Sequence, residues 1–148
     1  GWKVAGGTLK STDKGMLTTK KAYGPFELSF DWKWPAKAPK DRNWFSVSFS
    51  QGTVPNFNLE GLHAVSDGNP GWKDAKWEPP LKTPVKPGAW ARNVVRFDGT
   101  TLEMSTNGTT IYKATTKAPR KDDAISFWPT DGLEVMNVFV RELKEEKK

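Results

Sequence analysis

The amino-acid sequence predicts an all-β fold, a sandwich of two antiparallel sheets. Short runs of β-branched and aromatic residues are separated by frequent turn residues, with 13 glycines and 11 prolines among 148 residues. Within these runs apolar and polar residues alternate with a period of two, which is typical of strands that cover a core with one face. Helix signals are nearly absent, and Asn107-Gly108 marks a tight hairpin turn.

The clearest strand is FELSFDWKW, residues 26–34. One side of it is apolar and the other polar, with the apolar side formed by Phe26, Leu28, Phe30, Trp32 and Trp34. A second strand, NWFSVSFS at residues 43–50, alternates in the same way but places Trp44 on its polar side beside serines. Because that side faces away from the core, Trp44 is a candidate binding residue.

The remaining elements follow in order along the chain. FNLEGLHAV, residues 57–65, predicts a less regular strand, and the stretch 66–88, rich in Gly, Pro and Trp, predicts a long ordered loop. WARNVVRF, TLEMST and TTIYKAT form a meander, and AISFWP and LEVMNVFVREL supply the last two strands. The sequence therefore predicts a single β-sandwich domain at residues 1–143 and a solvated charged tail at 144–148.

Composition excludes several classes of site. The chain has no cysteine, so disulfides, zinc–thiolate sites and thiol nucleophiles are excluded, and its single histidine, His63, excludes a site with several histidine ligands. No nucleophile elbow, phosphate loop or dinucleotide fingerprint is present. No apolar run approaches the roughly 20 residues that span a bilayer. The net charge of +6 comes from small scattered basic groups, which predicts a solvated surface and no specific nucleic-acid partner.

The aromatic content is high, with eight tryptophans and eight phenylalanines. Tryptophan faces stack on sugar rings, and a sugar site needs such platforms beside planar polar groups. The residues that meet this description are Trp44, Trp72, Trp77, Trp90 and Arg92. The alternative is a tryptophan-rich core, which is the stronger interpretation for Trp32 and Trp34 because they continue an apolar strand face.

Glycoside hydrolysis by two carboxylates needs the pair about 5–9.5 Å apart. No two acidic residues in this sequence are separated by two positions, so no single strand presents such a pair as same-face neighbours. A pair would have to meet across strands, for instance Glu60 with Asp31 or Asp67. Glu60 and Asp67 fall on opposite faces of a straight strand, although Gly61 allows a bend. The alternative is that the SDGNPG stretch around Asp67 only makes turns.

Four stretches of the sequence, taken in their order along the chain, point to a known family. They are GWKVAGGTLKS, GMLTTKKAYGPFELSFDWKW, PGAWARNVVRFDGTTLEMSTNGTTI and LEVMNVFVREL. Together they resemble the 3-keto-disaccharide hydrolase-like domains of the concanavalin A-like lectin/glucanase superfamily. The resemblance implies a jelly-roll sandwich of two antiparallel sheets, one of them concave, with a carbohydrate or glycoside ligand in its groove. Glu60 and Asp67 match a family glutamate and a loop aspartate, whereas Leu62 stands where the family has a glutamine.

The resemblance also suggests chemistry. A ketone on the sugar acidifies the neighbouring C–H, so a base can remove that proton and elimination can follow. Glu60 or His63 is the expected base, with Lys33, Arg42 or Arg92 near the carbonyl oxygen or, alternatively, a metal there. We therefore expect a carbohydrate-active domain that binds, and in one interpretation hydrolyses, a glycoside.

The alternative is a non-catalytic carbohydrate-binding or structural interaction module of a larger exported protein. The resemblance implies a bacterial protein in the periplasm or outside the cell, and the Gly-Trp-Lys start is interpreted as a processing or expression boundary. No cofactor is expected. Calcium is the alternative, with oxygens from the SDGN stretch or Asp98, although no twelve-residue calcium loop is present.

Overall fold

The computed structural model describes residues 2–11, 15–37, 44–128, 130 and 132–143. The charged tail at 144–148 lies outside these residues. The described part of the chain forms strands β1 (Trp2–Ala5), β2 (Thr8–Ser11), β3 (Leu17–Tyr23), β4 (Phe26–Lys33), β5 (Phe45–Ser48), β6 (Val54–Asn58), β7 (Gly61–Ser66), β8 (Trp72–Trp77), β9 (Trp90–Phe97), β10 (Thr101–Thr106), β11 (Thr109–Thr116), β12 (Asp123–Trp128) and β13 (Glu134–Glu142). The described part of the chain contains no helix that is long and apolar enough to span a membrane.

The strands form two antiparallel sheets. The larger sheet has eight strands in the order β1-β2-β13-β4-β9-β10-β11-β8, and the smaller has five in the order β3-β12-β5-β6-β7. Their inner faces pack against each other, as in other β-sandwiches. The predicted all-β sandwich is therefore confirmed.

The core lies between the sheets and follows the alternation in the sequence. The apolar side of β4 and the residue that follows it are at most 1% exposed, and these residues are Phe26, Leu28, Phe30, Trp32 and Trp34. The packing interpretation of Trp32 and Trp34 is thus confirmed. Trp32 also donates its indole N–H to Asn93 Oδ1 at 3.0 Å, so its polar atom is satisfied inside the core.

Phe30 occupies the middle of this core. Its ring packs edge-on against Phe45, Phe57 and Phe127, with ring centroids 6.2, 6.3 and 5.1 Å away. These partners belong to β5, β6 and β12, so one side chain of the larger sheet contacts three strands of the smaller sheet. Such aromatic pairs add about 0.5–1.5 kcal/mol each beyond the burial of their surface.

The stretch 66–88 is not a continuous loop, because it contains β8. This strand pairs only with β11, at the edge of the larger sheet, and a register irregularity interrupts the pairing near Asp74, whose φ is 53°. Apart from Trp72, every residue of β8 is exposed. The exposed lysines of this edge strand, Lys73 and Lys76, disfavour pairing with the edges of other chains. Because β8 lacks an alternation of apolar and polar residues, the sequence did not reveal it as a strand.

The stretch FNLEGLHAV is a hairpin rather than one irregular strand. β6 ends at Asn58 and β7 begins at Gly61. The side-chain oxygen of Asn58 accepts a hydrogen bond of 2.9 Å from the backbone N–H of Glu60, and Gly61 has a φ of 118°. Asparagine and glycine favour tight turns for these two reasons, so the chain reverses at Glu60.

Arg120 joins three connections at one end of the sandwich, and we call this group the Arg120 clamp. Its guanidinium donates to Ser50 Oγ at 2.7 Å, the Ser50 carbonyl at 2.6 Å and Thr53 Oγ1 at 3.1 Å, all in the β5–β6 turn. It also donates to the carbonyl of Pro70 before β8 and lies 4.2 Å above the ring of Trp72. The clamp consists of Arg120, Ser50, Thr53, Pro70 and Trp72.

Gly68 brings the β7–β8 connection against the same turn. Its φ is 71°, and a Cβ at this position would lie 2.8 Å from the carbonyl carbon of Gly52. Real Cβ atoms do not approach backbone this closely, so glycine is required on both steric and conformational grounds.

We predict that Arg120→Ala lowers the free energy of unfolding by about 2–3 kcal/mol, because several hydrogen bonds to a charged donor are lost together. Arg120→Lys should recover less than half of this loss, since an ammonium cannot reproduce the planar fork. Urea unfolding monitored by tryptophan fluorescence measures the free energy of unfolding of both variants. Arg141→Ala on the exposed face of β13 serves as the control and should cost less than about 1 kcal/mol. Equal losses for Arg120→Ala and Arg141→Ala would contradict the clamp.

Candidate functional site

The outer faces of the two sheets differ sharply in charge. The strands of the larger sheet contain the acidic residues Glu27, Asp31, Asp74, Glu103, Glu134 and Glu142. The strands of the smaller sheet contain only Asp123. Both of its oxygens are engaged by backbone, since Oδ2 accepts from Gln51 N at 2.9 Å and Oδ1 from Ala124 N at 2.8 Å. The smaller sheet therefore presents an outer face with almost no negative charge.

Six side chains define what we call the aromatic face, on the outer side of the smaller sheet. They come from β5, β6, β7 and β12 or the residue just before β5, and they alternate with phenylalanines and a valine that point into the core. The aromatic face consists of Trp44, Ser46, Ser48, Asn56, His63 and Trp128.

His63 and Trp44 form a stacked pair on this face. Their ring centroids lie 4.7 Å apart and their planes differ by 8°. The β6–β7 register shifts between Asn56 and Phe57, which pair with Ala64 and Leu62, so His63 is the extra residue between them. Such a bulge redirects a side chain, and here it leaves His63 exposed against the ring of Trp44.

The other members of the aromatic face are linked in pairs. Ser46 donates its hydroxyl to Asn56 Oδ1 at 2.5 Å, and the indole N–H of Trp128 donates to Ser48 Oγ at 3.1 Å. Trp128 is nevertheless 41% exposed. These bonds fix the orientation of an exposed indole and an amide, which is the kind of preorganised surface that lowers the entropic cost of binding.

The structure separates Glu60 from Asp67. Glu60 occupies the turn before β7 and Asp67 follows its last residue, so they lie at opposite ends of a strand, roughly 20 Å apart along the chain. Asp67 instead lies near the Arg120 clamp: burial lowers the pKa of the Arg120 guanidinium and the charge of Asp67 opposes this shift. The two carboxylates cannot act as a catalytic pair, because the distance exceeds the range that hydrolysis requires.

Asp31 and Arg92 lie on the outer face of the larger sheet, away from Glu60 and His63. Arg92 binds both oxygens of Asp31, at 2.7 and 3.0 Å, and Asn137 Nδ2 donates to the same carboxylate at 2.8 Å. The hydrogen bond from Arg92 is the main reason that the pKa of Asp31 lies below its usual value. Asp31 therefore has a structural partner and does not pair with Glu60.

Lys33, another expected carbonyl partner, lies on the larger sheet and not beside the histidine. Lys33 forms an ion pair of 3.0 Å with Glu134 and lies 5.0 Å from the ring centre of Trp90, again on the larger sheet. Arg42 lies outside the described residues.

Three of the candidate tryptophans have different environments. Trp44 belongs to the aromatic face. Trp72 is only 4% exposed because Arg120 covers its ring and Thr53 accepts its indole N–H, so it offers no platform. Trp77 is 48% exposed, but it belongs to the edge strand of the larger sheet, where it packs edge-on against Tyr112.

Sequence reasoning missed four residues of the aromatic face, namely Ser46, Ser48, Asn56 and Trp128. The signal for Trp128 was present, because AISFW alternates and places Trp128 on the side opposite Phe127. Asn56 had no such signal, since its strand was not recognised as separate. Within the described residues, no group of three or more His, Asp or Glu side chains is arranged to hold a metal ion.

The model of the family described as the 3-keto-alpha-glucoside-1,2-lyase-like domain matches residues 1–139. The chain belongs to this family. The match spans both sheets as far as β13 and therefore includes the aromatic face and the Arg120 clamp. None of the curated proteins compared with the chain matches it.

Solved structures show how this family member is folded. A "putative glycosyl hydrolase" of Parabacteroides distasonis is similar with a TM-score of 0.67 and 15% identity, over 97% of this chain and 84% of the other. The carbohydrate-binding module CBM66 of Bacillus subtilis has a TM-score of 0.63 and 12% identity, over 96% and 91%. The galectin LEC-6 of Caenorhabditis elegans has a TM-score of 0.57 and 9% identity, over 95% of this chain and 100% of the galectin. The likeness confirms the concanavalin A-like jelly roll.

The environment of Asp31 predicts how stability depends on pH. Its pKa is lower in the folded state, so its contribution is present above the unfolded-state pKa, near 3.9, and is lost as the pH falls through the folded-state value. The urea concentration at the midpoint of unfolding should therefore decrease as the pH is lowered below about 4. In Asp31→Asn this concentration should decrease less steeply over the same range. The Ser105→Ala variant, which changes no titratable group, is the control and should keep the wild-type slope. An unchanged slope in Asp31→Asn would contradict this account.

Proposed function

We propose that this domain binds carbohydrate on the aromatic face of its smaller sheet. The observation that carries the proposal is the combination of exposed rings, His63 stacked on Trp44 and the partly exposed Trp128, with hydroxyl and amide groups fixed beside them. Sugar rings offer apolar C–H faces bordered by hydroxyls, so a site for them needs aromatic surface next to hydrogen-bonding groups.

Two further facts support a sugar ligand. The similar structures include one named as a carbohydrate-binding module, galectins and a protein described as a glycosyl hydrolase. The family description also names a glucoside. The outer face of the larger sheet is a poorer candidate, because Asp31, Arg92, Lys33 and Glu134 already bind one another there.

Binding is favoured over hydrolysis of an ordinary glycoside. Hydrolysis by two carboxylates needs two acidic groups within about 10 Å on one surface. The strands of the smaller sheet supply only Asp123, and backbone N–H groups occupy both of its oxygens. We therefore expect a module that holds a glycoside without cleaving it by this route.

A second candidate function is elimination from a 3-keto-glycoside, which the family description and the exposed His63 favour. The imidazole would take the proton from C2, which the C3 ketone acidifies. The electron pair would form the C1–C2 double bond as the bond from C1 to the leaving oxygen breaks. The imidazolium would then give this proton to the leaving oxygen, which departs as an alcohol and regenerates the imidazole.

The binding proposal predicts that Trp128→Ala and Trp44→Ala each weaken sugar binding by about tenfold or more, because each removes a stacking surface. Trp77→Ala removes an equally exposed tryptophan from the other sheet and should leave affinity unchanged. A glycan array identifies ligands of the wild-type protein, and isothermal titration against these ligands measures the affinity of the three variants. Loss of binding in Trp77→Ala with retention in Trp128→Ala would place the site elsewhere.

The elimination proposal predicts that His63→Ala abolishes turnover of a 3-keto-glucoside, whereas Glu60→Ala leaves the rate within about threefold of wild type. Formation of the unsaturated ketone, followed by ultraviolet absorbance, is the measurement. Wild-type protein that binds the substrate without turnover would reduce the function to binding, and full activity in His63→Ala would remove the histidine from the mechanism.

A further inference from the structure

The charge and hydrogen-bonding pattern of the aromatic face bears on the kind of sugar that it takes. We infer that the ligand is an acidic saccharide, one that carries a carboxylate, rather than a neutral one. This inference rests on the proposal that the aromatic face binds carbohydrate.

The first argument is the distribution of carboxylates. Neutral sugars present many hydroxyl donors, and aspartate and glutamate side chains are the strongest acceptors for them because they accept without donating. Asp123 is the sole acidic residue in the five strands, and it begins β12 whereas Trp128 ends it, about 16 Å further along the strand. A hydroxyl-rich neutral ligand would therefore find no carboxylate from these strands beside Trp128.

The second argument is the balance of donors and acceptors that remain. Asn56 uses its oxygen to accept from Ser46, so its two amide N–H groups are what it can offer a ligand. Ser48 accepts from Trp128 and keeps its own O–H as a donor. His63 adds a ring N–H. Donors of this kind are complementary to a carboxylate, which accepts several hydrogen bonds and binds more strongly than a neutral acceptor.

The third argument is charge. The chain has a net charge of +6, which attracts an anionic ligand more than a neutral one. Trp44, which stacks on His63, is uncharged, and the nearest carboxylate along the hairpin of His63 is Glu60 in the turn. A carboxylate on the ligand would therefore be attracted to this surface.

The test compares acidic and neutral sugars of the same ring geometry. The pairs are oligogalacturonate with its methyl ester, mannuronate with mannose oligomers, and cello-oligosaccharides with their C6-oxidised forms. Isothermal titration of the whole chain gives each dissociation constant. We expect the acidic member of at least one pair to bind about tenfold more tightly than its neutral counterpart.

Three variants make the test specific. Asn56→Ala removes the amide donors, so the acidic-to-neutral ratio should fall by about threefold or more. Lys73→Gln removes one positive charge from the edge strand of the larger sheet and should leave the ratio unchanged. Trp128→Ala should weaken binding of both members of a pair by about tenfold or more.

The outcomes separate the inference from the proposal beneath it. Neutral members that bind as tightly as acidic ones, with loss in Trp128→Ala, would overturn the acidic preference and leave carbohydrate binding intact. Acidic members that bind equally well to Trp128→Ala would indicate general attraction to a basic protein and overturn both. Absence of binding to every pair would overturn the proposed function itself.

Discussion

The contact of Phe30 with three phenylalanines of the opposite sheet is the constraint on which the rest of the structure depends. Phe45, Phe57 and Phe127 each have a member of the aromatic face as a chain neighbour, namely Ser46, Asn56 and Trp128. Because successive residues of a strand point to opposite faces, a core that fixes the three rings also fixes which side chains face outwards. A slip of one residue in any of these strands would bury the polar group and expose the ring.

The elements that the sequence predicted are those whose partners lie within the same strand. The alternation in β4 and β5 identified both their core and their outer sides, including Trp44. The failures depend on residues that are distant in sequence. Trp72 looked like an exposed loop residue because nothing near it indicates that Arg120, 48 positions later, covers its ring. The stack of His63 on Trp44 depends on a bulge in the β6–β7 register, which alternation cannot reveal.

The separation of charge between the two sheets gives the domain two outer surfaces that differ chemically. On the larger sheet Glu27 binds both Arg96 and Arg141, and Asp31 binds Arg92 and Asn137, so opposite charges are matched across neighbouring strands. Exposed pairs of this kind add little stability individually, but they leave few groups for a ligand. The smaller sheet keeps its hydroxyl, amide and aromatic groups, and its outer side chains can therefore be changed without disturbing the ion pairs.

Gly68 has a consequence for how this domain can diverge. Its missing side chain lets the β7–β8 connection lie directly on the β5–β6 turn, the same turn that Arg120 binds. Any larger residue would force apart two segments that share one arginine, so a change at this single position would be felt on both sides of the clamp. Among homologues, insertions should therefore accumulate on either side of this glycine and spare the residue itself. Its strict retention in an otherwise variable connection would identify relatives that keep the clamp.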